Sequence, residues 1–153
     1  MNNFISTVIS NFKTYFKDRK VSFFVGFSMA VLSVFVSLYY VIAYSANRDF
    51  NVGILLLTLF GGLAYMAIAL FKKENVGALA LGLCDFFAML GFLRAYYPVV
   101  IDSDIMSGNF NITPDIANLI VITVFLLVIS VTSNVLAWKK NSAEKQEETK
   151  NEA

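Results

Sequence analysis

Residues 116–138 read IANLIVITVFLLVISVTSNVLAW, a run of 23 residues without a formally charged side chain. A helix needs about 20 apolar residues, at about 1.5 Å of rise each, to cross roughly 30 Å of hydrocarbon. Residues 21–44, 52–71 and 76–97 also meet that length. Because these runs are continuous rather than alternating, they predict four membrane-spanning helices and not the strands of a barrel.

Composition supports an all-α integral membrane four-helix bundle. Apolar residues make up 58% of the 153 residues, whereas soluble domains average roughly 45–50%. The chain has one cysteine, Cys84, and no histidine. This excludes an internal disulfide and argues against a zinc or haem site, so we predict no metal and no cofactor. The partners that we predict are the lipid bilayer and another membrane protein or a second copy, and no nucleic acid.

The distribution of positive charge predicts the orientation. Ten of the 12 Lys and Arg residues lie before span one, between spans two and three, or after span four: Lys13, Lys17, Arg19, Lys20, Lys72, Lys73, Lys139, Lys140, Lys145 and Lys150. The positive-inside rule places these segments, and therefore both termini, in the cytoplasm.

The segments that flank the spans differ in character. Residues 1–20 predict an amphipathic interfacial helix, because apolar residues recur at spacings of one, three and four: Phe4, Ile5, Val8, Ile9, Phe12 and Phe16. Residues 139–153 mix Lys and Glu with small polar residues. They predict a disordered cytoplasmic tail or a frayed helical extension.

Small residues predict how the helices pack. In lipid, helices associate through close contact at small residues and through a few polar contacts. Span three carries such residues at steps of three or four, and this stripe consists of Gly77, Ala80, Cys84, Ala88, Gly91 and Ala95. We therefore expect a compact bundle of antiparallel neighbours with its closest approaches along span three.

Asp85 is the residue on which chemistry could depend. It lies ten residues past Asn75, the predicted cap of span three, which is about 15 Å of helix and near the bilayer midplane. A bare carboxylate there is costly, so we expect a neutral acid. Its candidate partners at similar depth are hydroxyl groups on other spans: Ser33, Ser37, Tyr65 and Ser130. Such an acid could carry protons or cations, or it could link helices.

Arg94 lies near the outer end of span three. Four acidic residues lie on that side and are candidate ion-pair partners: Asp49, Asp102, Asp104 and Asp115. The economical interpretation is an ion pair that fixes the outer loop, and binding of an anionic ligand is the alternative.

The chain resembles small four-span membrane proteins of low-GC Gram-positive bacteria whose activity is uncharacterised. The resemblance covers about residues 16–138 and depends on Asp18-Arg19-Lys20, the pair Tyr39-Tyr40, Phe71-Lys72-Lys73, and Ser133-Asn134 followed by Trp138. It implies the four-helix fold and a bacterial plasma membrane, and no activity.

Three functions remain open at this point. The first is a non-enzymatic accessory or scaffold subunit that binds another membrane protein or a second copy of itself. The second is a small proton- or cation-coupled transporter that uses Asp85. The third is an intramembrane aspartyl hydrolase, because residues 110–115, FNITPD, look like one motif of the lipoprotein signal peptidases. The second motif of that family, Asn-x-x-Asp-Arg, is missing.

Overall fold

The computed structural model describes residues 21–45, 50–71, 73–100 and 114–151, with side chains as far as residue 98 in the third segment and from 116 to 138 in the fourth. Four helices follow one another, α1 Val21–Tyr44, α2 Val52–Leu70, α3 Glu74–Val100 and α4 Pro114–Asn151. Each contains a segment long and apolar enough to cross a membrane. The predicted all-α fold with four spans is confirmed, whereas the predicted interfacial helix at 1–20 lies outside the described residues.

The ends of the helices differ from the predicted spans by a few residues. Helix α2 ends at Leu70, and the backbone N–H of Phe71 caps it by donating to the carbonyl of Ile68 at 3.1 Å. Helix α3 begins at Glu74, because the Lys73 carbonyl already accepts a helical bond from Gly77 N–H at 3.1 Å. Asn75 therefore lies inside the helix and is not its cap.

Two helices run past their predicted ends. Helix α3 continues through Pro98 to Val100, although the sequence predicted that a loop begins at Pro98. A proline removes one backbone hydrogen bond, but this does not end every helix. Helix α4 continues past Trp138 to Asn151. Of the two predictions for this stretch, a disordered tail and a helical extension, the second agrees with the helix, which is rich in the helix-forming residues Ala, Glu, Lys and Gln.

The helices form a ring in which each one runs antiparallel to its neighbours. Helix α3 contacts α2 and α4 most extensively, α4 closes the ring against α1, and the diagonal contact of α1 with α3 is small. Tyr40, Asn51 and Tyr96 meet at one end of the bundle, which we call the tyrosine end. Tyr65 and Phe23 meet towards the opposite end, the Lys73 end.

Two adjacent glycines set the position of α2 in this ring. A Cβ atom on Gly62 would lie 2.8 Å from the Ala30 carbonyl oxygen of α1, and one on Gly61 would lie 2.9 Å from the Cβ atom of Cys84 on α3. Side chains at either position would force the helices apart. The glycine pair therefore brings α1 and α3 close to the middle of α2.

Candidate polar centre

Asp85 lies in the middle of α3 and is completely buried, with a relative exposure of 0%. It lies eleven positions after Glu74, where the helix starts, which corresponds to about 16 Å of helical rise. Because the side chain is completely buried, solvent does not contact the carboxyl group and cannot hydrate its oxygen atoms. Its environment within the bundle therefore decides its chemistry.

One of the four predicted hydroxyl partners contacts Asp85. The Oγ atom of Ser33, on α1, lies 2.9 Å from Oδ1 of Asp85. The same Oγ atom lies 2.8 Å from the backbone carbonyl oxygen of Thr58, on α2. Ser33 is also completely buried. One serine thus joins three helices, and we call Ser33, Thr58 and Asp85 the polar centre.

The second carboxyl oxygen of Asp85 is in a different position. Oδ2 is buried and has no hydrogen-bond partner within the part of the chain that the structure describes. Buried polar atoms in folded proteins nearly always have a partner, so each exception calls for a physical explanation. Asp85 therefore has one oxygen engaged by Ser33 and one with unused hydrogen-bonding capacity.

The three other predicted partners bond elsewhere. Ser37 Oγ donates to the Val34 carbonyl of its own helix at 2.7 Å, and Ser130 Oγ donates to the Gly82 carbonyl at 3.0 Å. Tyr65 Oη donates to the Phe23 carbonyl near the Lys73 end at 3.1 Å. All three hydroxyls satisfy backbone carbonyls, so no continuous hydroxyl chain leads from them to Asp85.

Gly82 and Asn134 form a contact that the small-residue stripe did not predict. A Cβ atom on Gly82 would lie 2.8 Å from Nδ2 of Asn134, whose amide donates to the Ser130 carbonyl at 2.9 Å. Gly82 is five residues after Gly77 and therefore out of phase with the predicted stripe, which contacts α2. A second glycine on a different face was the signal that α3 has two closely packed neighbours.

The tyrosine end contains a buried aromatic cluster made of Tyr40, Tyr44, Phe92 and Tyr96. The hydroxyls of Tyr40 and Tyr96 lie 2.9 Å apart, and the ring centroids of Tyr44 and Tyr96 are separated by 4.4 Å. Phe92 also contacts the rings of Tyr40, Tyr44 and Tyr96, so the cluster packs α1 against α3 at this end.

Arg94 has an exposed side chain on α3. Its predicted partners Asp49, Asp102 and Asp104 lie outside the described residues, as does the side chain of Asp115. The predicted ion pair therefore remains a prediction.

The described side chains do not assemble a reactive site. Glu74 and Asp85 are the two carboxylates among them, and they are about 16 Å apart by helical rise. No cluster of three metal-ligating side chains occurs in the described segments. An aspartyl hydrolase needs two converging acids, and the described residues supply Asp85 alone near the middle of the bundle.

A groove lies between α1 and α4, the neighbouring pair with the least extensive contact. It has a volume of about 350 Å³ and is lined by Leu32, Phe35, Val36, Tyr39, Val121, Ile122 and Phe125. At the tyrosine end Tyr39 Oη donates to Asn118 Oδ1 at 2.6 Å, which joins the two helices there.

Comparison of the chain with protein-family models, curated proteins and solved structures found no match.

Proposed function

We propose that the chain is a non-enzymatic accessory or scaffold subunit of a membrane complex, and that the groove between α1 and α4 receives a transmembrane helix of the partner. We place it in a bacterial plasma membrane with both termini in the cytoplasm, following the charge distribution and the resemblance given above. Four apolar helices fit an integral membrane protein. The groove between α1 and α4 is the observation that carries the proposal of an accessory or scaffold subunit.

Two features support this role. The groove is lined by apolar and aromatic side chains, of which Phe35 is 63% exposed and Phe125 is 42% exposed. In hydrocarbon, close packing drives the association of helices, and a concave apolar surface packs against another helix more closely than a flat surface does. In the core, Ser33, Ser130 and Tyr65 each donate a hydrogen bond to a backbone carbonyl on another helix. The buried hydroxyl groups therefore hold the four helices together.

Site-specific photocrosslinking in native membranes tests this proposal. Phe35→benzoylphenylalanine places the probe in the groove, and Phe87→benzoylphenylalanine on α3 is a matched control, because Phe87 is 56% exposed and lies on the helix diagonal to α1. We expect one stoichiometric protein adduct from position 35 and none from position 87. Val121→Trp, which narrows the groove, should reduce the adduct at least tenfold.

Three results would overturn the proposal. Equal crosslinking at positions 35 and 87 would show that the groove is not the preferred contact surface. A lone monomer in native nanodiscs with no protein adduct would show that the groove faces lipid. An adduct with a second copy of the chain would replace the accessory subunit by a homo-oligomer.

Proton- or cation-coupled transport is the second candidate, and the buried Oδ2 of Asp85 without a partner in the described residues favours it. A protonatable group with unused capacity near the bilayer centre is what such a carrier needs. Asp85→Asn should then abolish pH-driven flux in proteoliposomes while the protein stays folded. Flux that survives this change would dismiss the candidate.

A further inference from the structure

The polar centre has fewer hydrogens than contacts if Asp85 is ionised. Ser33 carries one hydroxyl hydrogen, yet its Oγ atom lies 2.8 Å from the Thr58 carbonyl oxygen and 2.9 Å from Asp85 Oδ1. A carbonyl oxygen can only accept, and so can an ionised carboxylate. For both contacts to be full hydrogen bonds, Ser33 must donate its hydrogen to the Thr58 carbonyl, which has no hydrogen of its own. The contact between Ser33 and Asp85 then needs a hydrogen from the carboxyl group.

The surroundings of Asp85 disfavour the alternative, in which an ionised carboxylate shares the Ser33 hydrogen with Thr58. The charge would reside on a completely buried group whose Oδ2 has no partner in the described part of the chain. An unpaired buried charge costs several kcal/mol, on the order of the whole stability of a small domain.

No cation near Asp85 offsets that cost in the described segments. Lys73 and Arg94 are the described basic side chains, and both are exposed. Arg94 is nine residues further along α3, about 13 Å by rise. The polar groups that the packed helices bring towards the centre are neutral: the hydroxyls of Ser33, Thr58, Ser130 and Ser133, and the thiol of Cys84 beside Asp85.

We infer that Asp85 is a proton-binding site in which the proton resides on Oδ1 and is donated to Ser33 Oγ, while Ser33 donates its own hydrogen to the Thr58 carbonyl. The resulting chain has one direction, from α3 through α1 to α2. Its carbonyl oxygen, Oδ2, accepts no hydrogen bond from the described residues. This goes beyond the proposed function, because it holds for an accessory subunit and would identify the transferred proton in a transporter.

Infrared spectroscopy of the full chain in lipid nanodiscs, with aspartate labelled by carbon-13 at the side-chain carboxyl, tests the inference. We expect the C=O band of a neutral carboxylic acid at neutral pH, and its loss in Asp85→Asn. The band should lie at the high-frequency end of its range, because Oδ2 has no hydrogen-bond partner among the described residues. The carbon-13 shift identifies the band in the wild-type chain even if that variant fails to fold.

Two variants locate the proton. Ser37→Ala is the matched control and should leave the band unchanged, because Ser37 bonds within its own helix. Carboxylate bands in place of the acid band would overturn the proton site. A low-frequency C=O band that rises in Ser33→Ala would overturn its placement on Oδ1, because Ser33 would then be donating to the carbonyl.

Discussion

The hydroxyl groups of Tyr40 and Tyr96 lie 2.9 Å apart and join α1 to α3 at the tyrosine end of the bundle. Tyr40 Oη also accepts a hydrogen bond from the backbone N–H of Asn51, at 3.0 Å. That N–H lies just before α2, where the Asn51 side chain caps the helix by accepting from Gly53 N–H. One tyrosine hydroxyl thus couples the end of α1, the start of α2 and the end of α3.

Removing this hydroxyl should destabilise the bundle. Tyr40→Phe leaves the Asn51 N–H and the Tyr96 hydroxyl without that partner, and we expect a loss of about 1–3 kcal/mol in the free energy of unfolding. Tyr97→Phe is the control, since Tyr97 is exposed. Reversible unfolding in mixed detergent micelles measures both. Equal effects of the two variants would contradict the coupling.

The glycine pair of α2 predicts a second difference. Gly62→Ala places a methyl group against the Ala30 backbone carbonyl, which cannot move away as a flexible side chain can. We expect a loss of about 1–3 kcal/mol. Gly91→Ala is a matched control on α3, because its Cβ atom would make an ordinary contact of 3.5 Å with Ile54. Thermal unfolding in detergent should leave Gly91→Ala at or above the wild type, and a Gly62→Ala variant as stable as wild type would refute the close approach.

The Gly82 contact predicts a rescue. Gly82→Ala places a Cβ atom against the amide of Asn134, which can turn aside if it gives up its bond to the Ser130 carbonyl, so we expect a smaller loss than for Gly62→Ala, about 0.5–1.5 kcal/mol. Truncating the amide in Gly82→Ala/Asn134→Ala removes the collision and should recover most of the loss, so the two changes are non-additive. A double-mutant cycle of unfolding free energies checks this. Strict additivity would mean that the two residues do not touch.

These contacts show what could be predicted from the sequence. Long apolar runs located the four helices, because a hydrocarbon layer leaves few alternatives for about 20 consecutive apolar residues. The depth of Asp85 followed from counting residues, and Ser33 was among its predicted partners. Depth alone could not separate Ser33 from Ser37, Tyr65 and Ser130, because the rotation of each helix about its axis decides which hydroxyl faces the acid. The bond from Ser33 to the Thr58 carbonyl was not predicted, because every residue has a backbone carbonyl and the residue type does not indicate which one accepts a side-chain hydrogen bond.

Asp85 itself predicts a contrast between two substitutions. Asp85→Asn keeps a donor for Ser33 Oγ in the same place as the proposed acid hydrogen, so the unfolding free energy should stay within about 1 kcal/mol of the wild type. Asp85→Ala removes the side-chain partner of Ser33 and leaves a small void, which should cost about 1–3 kcal/mol. Chemical unfolding of the two variants in the same detergent compares them. A larger loss for Asp85→Asn than for Asp85→Ala would contradict a neutral acid at this position.

Crossing of the membrane by α2 is the central claim, and the accessibility of two cysteines on either side of that helix tests it most directly. Ser45→Cys and Lys73→Cys are placed at exposed positions beyond its two ends, each in a Cys84→Ala background. A membrane-impermeant maleimide applied to intact cells should label position 45, and should label position 73 after lysis alone. Labelling of both positions, or of neither, in intact cells would mean that α2 does not cross the membrane.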